Sequence, residues 1–128
     1  MIHGIGTDIV HVARIETALA RHGERFAQRV LAESEWDEFL AVPRHPAALL
    51  AKRFAAKEAW SKALGTGFRD GLSLRDVAVS HDALGKPELT FFGRAVEVME
   101  QFGIVASHVS LADEADYVVA FVILENAR

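Results

Sequence analysis

A long helical run from about Pro46 to Leu64 constrains the fold of this 128-residue chain more than any other stretch. Proline is acceptable in a first helical turn, and Gly65 stands where a left-handed C-cap is expected. At about 100° per residue, Leu49, Ala56, Trp60, Ala63 and Leu64 form one stripe expected to face a core. Phe54, Glu58 and Ser61 fall within about 60° of arc on the other side, with Lys62 about 40° beyond Glu58. A helix anchored along one stripe can hold Glu58 and Lys62 to within about half an ångström, the tolerance that positioned charge chemistry needs.

At the N-terminus, Ile2 to Ile9 reads as a strand in which Gly4, Gly6 and Asp8 share a face by the period of two. Two glycines there leave room beside the Asp8 carboxylate for a ligand or another backbone. Residues 11–22 predict an amphipathic helix, with Val12, Ile15 and Leu19 inward and Arg14 and Arg21 outward. A short helix near Arg25–Leu31 follows, then one starting at Ser34 as N-cap, with Glu35 and Asp37 in its first turn. Pro43 and Pro46 bracket a break. Arg75–His81 and Glu88–Phe92 read as strands joined by a turn around Gly85-Lys86-Pro87. Arg94–Phe102 reads as a helix with Ala95, Val98, Met99 and Phe102 inward. Ile104–Ala112 and Tyr117–Leu124, split by the polar Asp113–Asp116, predict a hairpin whose second strand is apolar enough for burial on both faces. The expected architecture is one α+β domain over residues 1–128, a largely antiparallel sheet packed against a long central helix.

Composition narrows the function. The chain contains no cysteine, which removes disulfides, thiolate nucleophiles and cysteine metal sites. Its longest apolar run, Tyr117 to Leu124, is far short of a bilayer span, and Met1-Ile2-His3-Gly4 has no signal-peptide pattern, so a soluble cytoplasmic protein is expected. A net charge of −4 argues against general nucleic-acid binding. Residues 44–69 nevertheless carry six basic residues against Glu58 alone, while residues 70–128 hold ten acidic and four basic ones. A basic stretch in an acidic protein points to an anionic ligand or acidic partner met at one face.

Taken singly, the charged residues have plain structural readings. Glu58 and Lys62 at i,i+4 are a common surface pair worth about 0.3–0.5 kcal/mol. Asp8 suits the N-cap of the helix beginning near His11. Taken together, two carboxylates and an ammonium are what hold a divalent metal against a phosphate and neutralise a leaving group.

The run Gly4-Ile5-Gly6-Thr7-Asp8-Ile9, then Arg53-Phe54-Ala55-Ala56-Lys57-Glu58-Ala59, Ser61-Lys62-Ala63-Leu64-Gly65-Thr66-Gly67, Gly85-Lys86-Pro87 and His108-Val109-Ser110-Leu111 resembles the holo-[acyl-carrier-protein] synthases. These are the small, trimeric type of 4′-phosphopantetheinyl transferase, and the resemblance runs over essentially the whole chain. It implies that the 4′-phosphopantetheine arm of coenzyme A moves onto a serine of an apo acyl carrier protein, in support of fatty acid biosynthesis. The serine oxygen attacks the β-phosphorus and adenosine 3′,5′-bisphosphate leaves. By that resemblance Asp8 and Glu58 hold Mg²⁺. Glu58 or a water beside it takes the serine proton, and Lys62 stabilises or protonates the departing phosphate.

The resemblance also assigns supporting roles. Arg53, Ser61, Gly65, Lys86, Pro87, His108 and Ser110 are expected to line the coenzyme A site. His108 and Ser110 share one strand face while Val109 and Leu111 point the other way. Lys57 and Arg53 lie about 100° and 140° around the helix from Glu58, less well aimed at a phosphate, and Arg53 has a surface charge as its plain reading. Arg14, Arg21, Arg25 and Phe26, with Phe54 as apolar anchor, are expected to dock an acidic carrier. A homotrimer with sites at subunit boundaries is implied, and no membrane partner. The chain departs from the pattern where relatives carry a second histidine and this sequence reads Ala112-Asp113-Glu114. Two competing readings share the same residues: a Mg²⁺-dependent hydrolase of nucleotides or coenzyme A derivatives, and a carrier-binding module without chemistry.

Overall fold

The helix over Pro46–Leu64 is present with the expected ends, and Gly65 closes it at φ +91°. Its surroundings differ from a helix with one core-facing stripe. The structure, a computed structural model describing residues 1–41 and 44–127, buries this helix on most of its circumference. Ala51, Ala55, Ala59 and Ala63 are buried beside Leu50, Ala56, Trp60 and Leu64, while Leu49 is only half-buried. A helix hydrophobic on nearly all sides belongs at the centre of a fold, and the alanines let neighbours approach closely.

Around it the chain runs β1 (Ile2–His11), α1 (Val12–His22), α2 (Glu24–Val30) and a 3₁₀ turn (Glu33–Glu35). Then come α3 (Trp36–Leu40), the central helix α4 and a second 3₁₀ turn (Leu74–Asp76). The hairpin β2 (Val77–His81) and β3 (Pro87–Phe91), α5 (Gly93–Gln101), and the hairpin β4 (Ile104–Asp113) and β5 (Tyr117–Asn126) complete it. One antiparallel sheet has the order β1-β5-β4, and β2-β3 form a second. This is the expected α+β arrangement, antiparallel strands against a long central helix. Pro43, expected to bracket a break with Pro46, lies outside the described residues.

Gly4 and Gly6 set how closely β1 meets α4. A Cβ on Gly6 would overlap the Ala59 carbonyl oxygen and lie 2.6 Å from the Ala63 nitrogen, and one on Gly4 would overlap the Ala63 carbonyl oxygen. The room expected on Asp8's face is thus filled by helix backbone, with Asp8 one pleat further along the same face. Because both clashing partners are backbone, Gly6→Ala is expected to cost about 3 kcal/mol as the strand is forced off the helix. The denaturant midpoint measures this, and a loss below about 1 kcal/mol would show that the two elements are not in such contact.

Several expectations are corrected. Asp8 does not cap α1: His11 occupies that position, and its side chain makes no cap bond. Ser34 lies inside a 3₁₀ turn instead of opening a helix, and the Glu35 carboxylate accepts the Ala32 N–H at 2.9 Å. The strand expected from Arg75 starts at Val77, because Ser73 and Asp76 cap each other's backbone and hold Leu74–Asp76 in a 3₁₀ turn. Phe102 is not inward but stacks on His3 past the end of α5. In β5, Val118, Ala120, Val122 and Leu124 are buried against the core, but Tyr117 and Phe121 are exposed, so this chain alone buries one face of the strand.

Candidate active site

Period-two register places Gly6 opposite Val122 and Asp8 opposite Ala120, on the buried side of the sheet facing α4. The close packing of β1 on α4 therefore carries Asp8 to the helix face bearing Glu58 and Lys62. The Lys62 ammonium donates to the Asp8 carboxylate at 2.9 Å and to the Thr7 carbonyl oxygen at 3.1 Å. The expected i,i+4 pairing is not what Lys62 makes; its ion-pair partner comes from the neighbouring strand.

Glu58 is half-buried, and its carboxyl is pushed up from the ordinary 4.5, first by burial and then by the Asp8 charge, with Lys62 opposing. The two carboxylates thus repel each other across a shared space. A folded value above the unfolded one means that, between 4.5 and the raised value, the native chain holds a proton the unfolded chain has lost. This group's contribution to stability therefore falls as pH rises through that window. In EDTA, Glu58→Gln is expected to gain stability over the parent as pH rises through it. Urea titrations at several pH values measure the difference, and a pH-independent one would show that the Glu58 carboxyl is not perturbed.

Crowded carboxylate oxygens are the donor set a hard divalent cation prefers. No group of three or more His, Cys, Asp or Glu side chains gathers as a metal cage among the described residues. Asp8 and Glu58 could hold Mg²⁺ in the way that ion is commonly held, through one or two carboxylates with water and substrate phosphate as the other ligands.

The remaining expected residues divide into groups. Ser61 is buried, its hydroxyl donating to the Glu58 carbonyl oxygen at 2.8 Å. Gly65 caps α4 beside Lys62. Phe54 is half-buried and packs on the core one turn before Glu58. Arg53 is not a surface charge: its guanidinium is buried, bonded to Glu38, with Glu35 at 3.6 Å. It also borders a groove of about 300 Å³ that reaches Lys52, His81, Gly85, Pro87 and Asp113. Asp113, at the departure from the family pattern, pairs with Lys52 at 3.6 Å. Lys86 lies exposed in the turn between β2 and β3, and Pro87 opens β3.

His108 and Ser110 do share a face, as expected, but it is the outer face of the sheet, away from α4. His108 Nε2 lies 2.6 Å from a Glu125 carboxylate oxygen there. The thickness of the sheet separates these two from Asp8 and Glu58 within one chain. On the docking side, Arg14, Arg21 and Arg25 are exposed, and Phe26 is half-buried on the core.

Sequence reasoning missed Lys57. It is fully buried and donates to the Val30 carbonyl oxygen and, at 2.6 Å, to Glu35, whose other oxygen accepts the Val79 N–H at 2.8 Å. Burial holds its ammonium below the usual 10.5, against the opposing pull of Glu35. The readable signal is weak: a lysine set among alanines with no acid at i±4 on its own face.

The model of the 4′-phosphopantetheinyl transferase superfamily matches residues 4–122. A holo-[acyl-carrier-protein] synthase from Azoarcus sp. (strain BH72) is 59% identical over 125 residues, covering 98% of each chain. The crystal structure of the holo-[acyl-carrier-protein] synthase from Neisseria meningitidis superposes with a TM-score of 0.93 at 46% identity, covering 98% of this chain and all of that one. The Helicobacter pylori holo-[acyl-carrier-protein] synthase in complex with coenzyme A superposes at 0.81 with 34% identity, covering 94% of this chain and 99% of that one. This chain belongs to the 4′-phosphopantetheinyl transferase superfamily and, within it, to the holo-[acyl-carrier-protein] synthases.

Proposed function

We propose that this protein transfers the 4′-phosphopantetheine group of coenzyme A to a serine of an apo acyl carrier protein, releasing adenosine 3′,5′-bisphosphate. The observation that carries the reading is the gathering of Asp8, Glu58 and Lys62 where glycine-lined β1 meets α4. Asp8 and Glu58 would hold Mg²⁺, which would supply positive charge to the pyrophosphate oxygens. Glu58, its carboxyl pushed up by burial and by the Asp8 charge, takes the proton from the carrier serine. Lys62, half-exposed, leaves Asp8 and offers its charge or its proton to the departing phosphate oxygen. Ser61 ties its hydroxyl to the backbone of Glu58 and so steadies that turn of the helix.

His108, Ser110, Lys86 and Pro87, with Arg53 and Gly65, bind coenzyme A at a boundary between copies of the chain. Support comes from the sheet lying between His108 and Glu58: one chain cannot present both to one ligand, but neighbouring copies can. The outer face of the sheet leaves Ile5, Ile9 and Phe121 at 60%, 62% and 51% exposure, apolar surface suited to a homotrimer interface. Phe121→Lys is expected to convert the trimer to a monomer in sedimentation; a parent that sediments as a monomer would contradict the assembly. Arg14, Arg21, Arg25, Phe26 and Phe54 dock the carrier. The protein acts as one domain in the cytoplasm, in fatty acid biosynthesis. In keeping with that, no helix among the described residues is long and apolar enough to cross a membrane.

Chromatography of adenosine 3′,5′-bisphosphate tests the reading. Release is expected only when coenzyme A, Mg²⁺ and the apo carrier are all present, and EDTA is expected to stop it. Release without the carrier would identify a hydrolase instead.

A further inference from the structure

Past the docking arginines on α1, the basic surface continues along α2 to Arg29 and across to Arg75, two residues with no role above. His22 at the end of α1 and Arg25 and Arg29 on α2 line, together with Phe26, a cup of about 150 Å³. The same Arg25 and Arg29 form one wall of a neighbouring groove of about 520 Å³. Its far wall is Arg75, on the 3₁₀ turn that Ser73 and Asp76 lock in place, and Phe68 and Leu74 line it. The turn is thus pre-set, and Arg75 is held across from α2 by backbone bonds before anything binds.

None of these three guanidiniums has a carboxylate within ion-pair distance among the described residues, although Arg53 and Arg94 both do. Exposed arginines left unpaired around an apolar floor, in a chain of net charge −4, are suited to an anionic partner with an apolar residue between its charges. Beyond Arg75 the surface turns mixed, because Glu33 and Asp76 border the adjoining recess, so the basic segment ends there.

We infer that the Arg25–Arg29–Arg75 groove is a second contact for the acidic carrier protein, taking a carboxylate-bearing helix of the carrier beyond the part that meets Arg14 and Arg21. This inference rests on the proposed transfer activity and assigns specificity to Arg29 and Arg75. Guanidiniums spaced across a pre-set groove fix the register of a helix more than they add raw affinity, and they raise the rate of encounter. None of Arg25, Arg29 and Arg75 is among the residues assigned to coenzyme A, so coenzyme A binding is expected to be independent of them.

The test is steady-state transfer kinetics of the full chain carrying Arg29→Glu and Arg75→Glu together, with Arg44→Glu as a control for charge reversal outside the groove. The double variant is expected to raise KM for the apo carrier about tenfold or more, with kcat and KM for coenzyme A unchanged. Its kcat/KM for the carrier is expected to fall less steeply with salt than that of the parent, and Arg44→Glu is expected to behave as the parent. A carrier KM within twofold of the parent would overturn the inference, as would an equal rise in the Arg44→Glu control. A raised KM for coenzyme A instead would assign the groove to nucleotide phosphates and also overturn it. A parent chain that transfers nothing would be failure of the proposed function itself, which the parent assay reads separately.

Discussion

Glu58→Gln is expected to lower phosphopantetheinyl transfer by about a thousandfold or more while the protein stays folded. Glutamine keeps the size and most of the packing of this half-buried side chain, so what is lost is the charge. That charge has two tasks, accepting the serine proton and holding the cation with Asp8. General base catalysis alone is worth about 10²–10⁴. Stability is expected to move the other way, because the carboxylate stands against burial and the Asp8 charge, and an amide relieves both. The comparison with Lys62→Met sharpens the reading. Lys62 is solvent-accessible and its pairing with Asp8 is worth about 1 kcal/mol or less to the fold, so its loss is expected in the rate and not in the denaturant midpoint. If Glu58→Gln transfers within tenfold of the parent, neither task belongs to Glu58.

The second large effect is on stability and lies in the buried network around Glu35. That carboxylate accepts Lys57 at 2.6 Å, the Ala32 N–H at 2.9 Å and the Val79 N–H at 2.8 Å, tying the segment before α3 and strand β2 to α4. Removing its charge by Glu35→Gln leaves a fully buried ammonium with little besides the Val30 carbonyl. Breaking a buried pair from one side costs about 3–5 kcal/mol, and the same is expected here. Lys57→Met is expected to cost less, because the stranded carboxylate keeps its two backbone donors and has Arg53 at 3.6 Å. The double variant is expected to lose less than the sum of the singles, since the two changes remove one shared interaction. Guanidinium denaturation of the four proteins measures the cycle; additive losses would show that Lys57 and Glu35 are not coupled. Because Lys57 directly precedes Glu58, the network also fixes the rotation of α4 that aims the carboxylate.

The same network marks where the sequence stops being readable. Helix α4 was legible in its ends, since Pro46 and Gly65 have local roles, and Gly4, Gly6 and Asp8 were legible on one face by the period of two. The burial of Lys57 and Arg53 was not, because a charged residue on a helix reads as solvated unless its partner is known. Here the partner is Glu35, 22 residues away from Lys57 in a segment whose own pattern suggested a capped helix. The Glu35 carboxylate serves both demands, accepting the local Ala32 N–H and the long-range Lys57, and only the local one can be read from a single segment. Lys62 gives the converse case: its neighbour in sequence is Glu58, but the strand packing offers Asp8. The apolar run of β5 announced a strand buried on both faces, yet this chain alone buries one of them, and the pattern of one chain cannot distinguish an interface from a core.

The central claim is that Asp8, Glu58 and Lys62 serve group transfer to a protein serine. The intact mass of an apo acyl carrier protein, after incubation with this protein, coenzyme A and Mg²⁺, tests it most directly. The expected result is a gain of one phosphopantetheinyl group on the carrier, absent with EDTA and with Glu58→Gln. A carrier of unchanged mass, or one modified equally by the Glu58→Gln protein, would contradict it.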